Sequence, residues 1–131
     1  MILVDTSVWV AALRCRETEE AITLMRLLDE DQVALAAPVR MEILNGVSRR
    51  ELSRLRRLLS AMPVWYPERS TWDLVTSWTE LASRQGERFG FADLLIGATA
   101  AEREAHVWSL DRDFQRLAKL DLVRVYESGC S

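Results

Sequence analysis

Four acidic residues stand at or near points where one secondary structure element gives way to the next. Asp5 and Asp111 each directly follow a short apolar run, Asp93 opens an alanine-rich helix, and Glu42 lies in the first turns of another helix. Four carboxylates brought together repel one another, and at least one is forced neutral unless cations compensate the charge. A divalent cation is the natural compensation, so these residues predict a metal site.

The metal ligands that are missing narrow the identity of the ion. Zinc sites use His and Cys, but the chain has one histidine, His106, and two widely separated cysteines, Cys15 and Cys130, which we interpret as free thiols. Oxygen ligands favour Mg²⁺ or Mn²⁺, and Mg²⁺ leaves positions for water and substrate phosphates. The predicted substrate is a phosphate ester, cleaved by a metal-activated water without a histidine base.

Each acidic residue also has a structural interpretation. Asp93 and Asp111 lie at helix starts, where aspartate is favoured as a cap and by the helix dipole. Glu42 could be a solvated helix residue, and Asp113 is interpreted as a first-turn dipole residue that could assist a second metal. Asp5 is harder to explain structurally, because an aspartate that ends a central hydrophobic strand is costly unless it is paired or metal-bound.

The elements that position these residues follow from hydrophobic periodicity. Strands and helices alternate without long linkers, which indicates an α/β fold with a parallel sheet covered on both faces. Ligands bind such a sheet beyond the carboxyl ends of its strands, near the point where strand order reverses. The predicted strands cover 2–4, 33–36, 62–66, 107–110 and 122–126, and the predicted helices 8–13, 17–30, 38–45, 49–61, 70–86, 91–104 and 112–120.

Local signals mark several boundaries. Pro38 suits the first position of a helix, and Ser48 followed by Glu51 matches a capping box. By the same logic Ser70 starts a new helix, while Pro63 confines the third strand to a sheet edge or a strand start. Residues at helical spacing on the second helix form a face that we expect in the core: Ala21, Leu24, Met25 and Leu28.

The composition describes one globular domain, which we expect to span residues 1–131. A chain of 131 residues with 49% hydrophobic and 28% charged residues is long and apolar enough to bury a core. No apolar run approaches the roughly 18 residues of a membrane span, and the N-terminal run has no basic flank. We therefore expect neither a membrane anchor nor a signal peptide, and a cytoplasmic location.

Segments spread over most of the chain carry a resemblance to a known family. They are 2–9, which includes Asp5-Thr6-Ser7, Glu42 within 38–46, 93–100, and 109–114, which includes Asp111-Arg112-Asp113-Phe114. At these residues the sequence resembles PIN-domain proteins, specifically the VapC-type toxins of bacterial or archaeal toxin–antitoxin pairs. Each motif alone is weak, but the ordered set is specific. Ser109 stands where the family usually has Thr, which keeps the hydroxyl.

The resemblance implies a PIN-like three-layer α/β/α fold with a central, mostly parallel sheet of four to five strands. It implies a Mg²⁺- or Mn²⁺-dependent endoribonuclease that cleaves single-stranded RNA and inhibits growth until a VapB-type antitoxin neutralises it. It also implies a homodimer, and operator DNA bound only through the antitoxin. Asp113 is an occasional further contributor, and Ser7 a hydroxyl neighbour of the site. The catalytic and metal-binding roles fall on Asp5, Glu42, Asp93 and Asp111.

Two sets of residues have open interpretations as binding surfaces. The net charge of −3 becomes +1 when the four acidic site residues are set aside, so it does not exclude RNA as a substrate. Six arginines between Arg40 and Arg57 could hold RNA phosphates or form a solvated helix face. Apolar residues on the early helices could line a groove for the antitoxin or belong to the core: Val8, Trp9, Met25 and Leu28.

Two other functions fit the sequence less well. A catalytically silent PIN-like scaffold would bind RNA or a partner without cutting it, but scaffolds of this kind lose acidic residues and this chain keeps all four. Phosphoryl transfer through an aspartyl-phosphate at Asp5 fits poorly. A phosphatase of that class needs a second Asp where Ser7 stands, and a receiver domain needs a suitably placed lysine, whereas Lys119 is the only lysine and lies in the last helix.

Overall fold

The structure, a computed structural model, describes residues 1–128, and these contain five strands in one sheet. All pairings between them are parallel, and the strands lie in the order β3-β2-β1-β4-β5. The sheet predicted from the sequence is therefore confirmed. The strands are β1 (Ile2–Val4), β2 (Val33–Ala36), β3 (Val64–Trp65), β4 (His106–Trp108) and β5 (Arg124–Val125).

Seven helices in the described chain connect the strands. They are α1 (Thr6–Arg14), α2 (Glu19–Asp29), α3 (Ala37–Asn45), α4 (Arg49–Leu59), α5 (Arg69–Arg84), α6 (Phe91–Glu102) and α7 (Asp113–Lys119). Because crossovers between parallel strands are right-handed, α1 to α4 lie on one face of the sheet and α5 to α7 on the other. The packing agrees, since α1 contacts α2 and α3, while α6 contacts α5 and α7. The expected three-layer α/β/α arrangement is confirmed.

Strand order reverses between β1 and β4, in the middle of the sheet. The chain runs from β1 through β2 to the β3 edge, then returns to place β4 on the other side of β1. All residues of β1 and β2 are buried, because helices cover both faces, and this explains their uninterrupted apolar sequences. The crevice at the carboxyl ends of β1 and β4 is therefore where a ligand site is expected.

Strands β3, β4 and β5 are shorter than predicted, whereas β1 and β2 have the predicted bounds. β4 ends at Trp108, so Ser109 and Leu110 belong to the connection to α7, and Leu110 is 49% exposed. Asp111 thus follows β4 after two residues and not directly. β3 has only two residues at the sheet edge, as Pro63 indicated, and β5 likewise keeps two of its five predicted residues.

Two helix predictions are wrong in detail. Met25 is 57% exposed, because α2 packs against the core through Ala21, Leu24 and Leu27. The helix that was expected to start at Ser70 begins one residue earlier, with Glu68 as its N-cap. There the Glu68 backbone N–H donates to the Thr71 hydroxyl, 2.9 Å away.

Helix α6 is the most buried helix and carries one of the site residues. Its residues 94–100 are all buried, since the helix packs against α5, α7 and β4. Gly97 permits this close packing, because a Cβ there would lie 3.1 Å from Val123 and 3.2 Å from Trp78. Among residues 1–128, no helix is both long and apolar enough to cross a membrane. Cys15 is a free, exposed thiol as predicted, and Cys130 lies outside the described residues.

Candidate active site

Asp5 lies at the carboxyl end of the central strand and at the start of α1. Its backbone N–H donates to the Trp108 carbonyl of β4, 2.9 Å away, and its carbonyl accepts from the Val8 N–H of α1, 3.1 Å away. The main chain at Asp5 therefore joins the sheet to the helix. The side chain makes no capping hydrogen bond to α1, so the carboxylate is directed into the crevice between β1 and β4.

Two serine hydroxyls hold the Asp5 carboxylate. Ser109 Oγ donates to Asp5 Oδ2 at 2.7 Å and Ser7 Oγ donates to the same oxygen at 3.0 Å. The backbone N–H groups of Leu110 and Asp111 in turn donate to Ser7 Oγ and Ser109 Oγ, each at 3.0 Å. Ser7 Oγ and Ser109 Oγ also lie 3.1 Å apart, so the two serines and Asp5 form one hydrogen-bond network. The carboxylate, on a residue only 7% exposed, is thus held in a fixed orientation by two O–H donors.

Three further carboxylates form a cluster at the same carboxyl end of the sheet, and we call it the aspartate cluster. It consists of Asp93 in the first turn of α6, Asp111 in the connection after β4, and Asp113 at the start of α7. One carboxylate oxygen of each lies within 4.8 Å of the others. The Asp113 backbone N–H donates to Asp111 Oδ1 at 3.0 Å, so Asp111 also has the helix-start role that the sequence suggested.

The aspartate cluster is electrostatically crowded. The pKa of the Asp93 carboxyl is raised to about 7, first by burial, then by the charges of Asp111 and Asp5, and then by a hydrogen bond with Asp113 and its charge. At neutral pH the cluster therefore holds a proton on Asp93 for part of the time. The sequence predicted a neutral carboxyl from mutual repulsion, whereas at Asp93 burial is the first cause and repulsion the second.

Arg116 of α7 fixes the position of Asp113. One guanidinium nitrogen donates to Asp113 Oδ1 at 2.8 Å, and another donates to Glu87 and to the Arg88 carbonyl. The same guanidinium lies over the Phe89 ring, 4.4 Å from its centroid. These contacts tie α7 to the segment that precedes α6. No local sequence signal marks them, because the two segments are almost 30 residues apart.

Glu42 lies beside the site and outside the aspartate cluster. Its Oε1 accepts a hydrogen bond from Thr6 Oγ1 at 3.1 Å, and Thr6 is the neighbour of Asp5 in the sequence. The Glu42 side chain is exposed. Of the four predicted site residues, Asp93 and Asp111 meet directly, Asp5 is close enough to raise the pKa of Asp93, and Glu42 is joined to the Asp5 segment through Thr6.

The donor set suits a hard divalent cation. The carboxylates and hydroxyls that converge at the carboxyl ends of β1 and β4 present oxygen atoms, which Mg²⁺ and Mn²⁺ prefer. A cation would also favour the charged form of Asp93, whose pKa is raised first by burial and then by the neighbouring carboxylates. His106 lies at the opposite, amino end of β4, so the only histidine of the chain is remote from these carboxylates.

A large cavity lies on the face covered by α1, α2 and α4, and we call it the apolar groove. It has a volume of about 490 Å³. Trp9, Met25 and Leu28 line it, as one of the two sequence interpretations proposed, whereas Val8 is buried in the core. The full lining is Trp9, Ala12, Leu13, Arg16, Ala21, Leu24, Met25, Leu28, Arg54, Arg57 and Leu58.

Sequence and structure comparisons give a consistent set of relatives. The PIN domain family profile matches residues 2–120. Ribonuclease VapC11 of Mycobacterium tuberculosis is 31% identical over 125 residues, which cover 92% of this chain and 93% of that protein. VapBC2 from Rickettsia felis, solved bound to a DNA fragment from its promoter, contains a chain with a TM-score of 0.80 and 20% identity, over 96% of this chain and 98% of that one. FitAcB from Neisseria gonorrhoeae contains a chain with a TM-score of 0.80 and 23% identity, over 97% of this chain and 97% of that one.

Proposed function

The chain belongs to the PIN domain family, and we propose that it is a Mg²⁺- or Mn²⁺-dependent endoribonuclease that acts as the toxin of a toxin–antitoxin pair. The observation that carries the proposal is the convergence of Asp5 and the aspartate cluster at the strand-order reversal, with the pKa of Asp93 raised to about 7. The name of the similar VapC11 protein supports RNA as the substrate. We assign the catalytic and metal-binding roles to Asp5, Glu42, Asp93 and Asp111.

In this mechanism the side chains prepare a negatively charged pocket for a cation and a phosphate. When bound, a divalent cation supplies Lewis-acid polarisation of the scissile phosphate and lowers the pKa of a coordinated water. Ser7 and Ser109 hold Asp5 in position through Oδ2 and leave its Oδ1 free of hydrogen bonds from residues 1–128. A cation held by the cluster would lower the pKa of Asp93, because its positive charge would offset the burial and the neighbouring charges that raise that pKa.

Proton transfer in hydrolysis must then involve carboxylates and water. The reaction breaks a P–O bond of the RNA backbone and adds water to phosphorus, so a proton must leave the attacking water and another must reach the departing oxygen. His106 is too far away to serve, since it begins β4 while the site lies beyond the end of that strand. The carboxylates of the aspartate cluster are the titratable groups beside the reacting phosphate in this proposal.

Asp5→Asn tests the assignment, because the variant keeps the shape of the side chain and its ability to accept from both serines. We expect RNA cleavage to fall more than about a hundredfold, since even residues that only orient metal ligands are worth roughly 10–100-fold. Asp73→Asn, at an exposed position on α5, is the matched control and should cleave normally. Sequencing the cleaved ends of cellular RNA measures cleavage by both variants. Undiminished cleavage by a folded Asp5→Asn variant would refute the mechanism.

A metal titration separates the enzyme from a silent PIN-like scaffold. We expect calorimetry to detect Mg²⁺ and Mn²⁺ binding to the wild-type protein and much weaker binding to Asp93→Asn, which lacks one carboxylate of the cluster. A scaffold would bind neither ion and would retain RNA without cutting it. Binding of both ions with cleavage in their presence supports the proposal, and the difference between the two ions identifies the one preferred.

We propose that a cognate VapB-type antitoxin neutralises the protein by covering the apolar groove with an apolar segment, and that operator DNA is bound only through the antitoxin. The similar Rickettsia felis complex, which was solved with DNA from its promoter, supports this partner. Met25→Glu should weaken antitoxin binding without unfolding the protein, because Met25 is exposed in the groove. Co-purification tests antitoxin binding, and a gel-shift assay with and without the antitoxin tests whether operator DNA is bound only through it.

We also infer that residues 1–131 form one domain, that the protein forms a homodimer, and that it acts in the cytoplasm where its RNA substrates lie. One continuous core cluster that includes residues from every strand except β3 and β5, with Trp65 and Val125 packed against it, supports the single domain. Light scattering of the purified protein measures the oligomeric state, and a monomer at all concentrations would contradict the dimer.

A further inference from the structure

The apolar groove is longer than its central cavity. A second cavity of about 320 Å³ shares Leu13, Arg16, Arg54 and Leu58 with it. A third cavity, of about 190 Å³, shares Met25, Leu28 and Leu58 with the centre and continues in the other direction. The three cavities therefore form one continuous concave surface along α1, α2 and α4.

The two ends of this surface differ in charge. Arg16 and Arg54 line the second cavity together with Glu51, and Arg57 joins them in the centre. Asp29 and Asp31 line the third cavity, and none of the described residues around it is basic. The groove thus has an arginine end and an aspartate end.

The three arginines of the groove make no ion pair within the part of the chain that the structure describes. Among residues 1–128, the ion pairs are those of Arg26 and Arg116, so Arg16, Arg54 and Arg57 have guanidinium donors available for a partner. Apart from these arginines the lining of the central cavity is apolar, and parts of it stay in contact with water, with Leu13 and Leu58 each 42% exposed. Available charges flanking exposed apolar side chains are typical of a surface completed by a partner.

We propose that the groove selects and orients its occupant by charge: the antitoxin segment that lies in it carries acidic side chains where it meets Arg16, Arg54 and Arg57, apolar side chains against the rest of the central cavity, and basic side chains at the Asp29 and Asp31 end. The inference rests on the proposed toxin–antitoxin function and adds direction and charge pattern to it. Only one direction of the segment then pairs both ends, because the reverse direction brings like charges together.

RNA fits this surface less well than an amphipathic peptide does. Phosphates would be held by the arginines of the second and central cavities, but they would be repelled by Asp29 and Asp31 in the third cavity, and the remaining lining of the centre is apolar. None of the described residues that line the three cavities belongs to the aspartate cluster. In this proposal Arg54 and Arg57 bind carboxylates of a protein partner and not RNA phosphates beside the metal site.

A pair of charge reversals on one helix tests the inference. Arg54→Glu/Arg57→Glu changes the groove, whereas Arg50→Glu/Arg56→Glu makes the same change in net charge at α4 positions that line none of the three cavities. The assay uses purified cognate antitoxin and the full-length toxin. We expect Arg54→Glu/Arg57→Glu to weaken antitoxin binding at least about thirtyfold, and the affinity of Arg50→Glu/Arg56→Glu to stay within about threefold of the wild type. Antitoxin with its acidic residues changed to lysine should regain affinity for Arg54→Glu/Arg57→Glu.

The aspartate end is tested in the same assay with Asp29→Asn/Asp31→Asn. Asparagine is chosen because Asp31 has a φ of 55°, which Asn tolerates. We expect about a tenfold loss of affinity that grows smaller as salt is raised. No loss with this variant would overturn the assignment of direction.

Several outcomes separate this inference from the function on which it rests. Equal weakening by both arginine pairs, with normal binding of the wild-type toxin, would overturn the charge pattern and leave the toxin–antitoxin pair standing. No binding of the antitoxin to the wild-type toxin would contradict the proposed pair itself. RNA cleavage by free Arg54→Glu/Arg57→Glu should equal that of the wild type, and a raised KM would mean that the arginines bind RNA. If the reversal fails to fold, Arg54→Gln/Arg57→Gln gives the same comparison.

Discussion

The proton on Asp93 makes the stability of the metal-free protein depend on pH in an unusual direction. Its pKa is about 7 in the folded protein and near the ordinary 3.8 in the unfolded chain. A carboxyl whose folded pKa is raised stabilises the protein fully below the unfolded pKa, and this contribution is lost as the pH rises through the folded pKa. In the presence of EDTA, the folded protein should therefore become less stable between pH 5 and pH 8, where many proteins are most stable.

The magnitude follows from the size of the shift and the exposure of the site. A difference between 3.8 and about 7 corresponds at most to about 4 kcal/mol, of which roughly 2.6 kcal/mol falls between pH 5 and pH 8. Asp93 is only half-buried and Asp111 is exposed, so solvent screening reduces the loss to roughly 1–2 kcal/mol. For a domain of this size the melting temperature should drop by roughly 4–8 °C over that range.

Urea unfolding of metal-free wild type and Asp93→Asn at pH 5, 6, 7 and 8 measures this effect. We expect the free energy of unfolding of Asp93→Asn to be nearly constant over the range and to exceed that of the wild type at pH 8, since the amide cannot ionise. Mg²⁺ should restore the free energy of unfolding that the wild-type protein loses at pH 8. Asp73→Asn, outside the cluster, should keep the wild-type pH dependence. An identical pH dependence in wild type and Asp93→Asn would refute the crowding argument.

Substitutions at three further positions test other parts of the structure. Ser109→Ala removes a donor to Asp5 and should lower the free energy of unfolding by about 1–2 kcal/mol, while Ser109→Thr should retain it, as urea unfolding would measure. Gly97→Ala places a methyl group against Trp78 and should cost about 1–3 kcal/mol, seen as a lower melting temperature; an unchanged value would contradict the close packing of α5 and α6. Arg116→Met should weaken Mn²⁺ binding about tenfold by releasing Asp113, whereas a loss of stability without a change in affinity would indicate a purely structural role.

Much of the candidate site could be predicted because its main residues are marked by local sequence. Asp5 ends an apolar run, and a run of this kind with a following helix start is visible within a few residues. Asp93 and Asp111 also lie near the boundaries of helices, which the local sequence marks in the same way. Asp113 was given only a minor role, although it shares the cluster equally, because a first-turn aspartate has the same local pattern whether or not it faces other carboxylates.

Other features could not be predicted because they depend on which face of an element packs inwards. Met25 fits the apolar spacing of α2, yet the helix turns Leu27 to the core and leaves Met25 at the groove. Arg54 and Arg57 belong to the same basic run as Arg50, and only the position of α4 against α1 and α2 separates groove residues from the others. A change of one residue in the register of a helix face rotates side chains by about 100°, which the sequence pattern alone does not resolve.

The sequence by itself determined the order of the elements, the parallel sheet, and which carboxylates lie at the ends of its strands. These depend on periodicity and on neighbours in the chain, which are local properties. Only the tertiary structure decided that Ser109 holds Asp5 across 104 residues, that Arg116 ties Asp113 to Glu87, and that three separate helices form a groove with charged ends. Such contacts join distant segments, so they exist only after the crossovers have set the strand order and the helices have packed on the sheet.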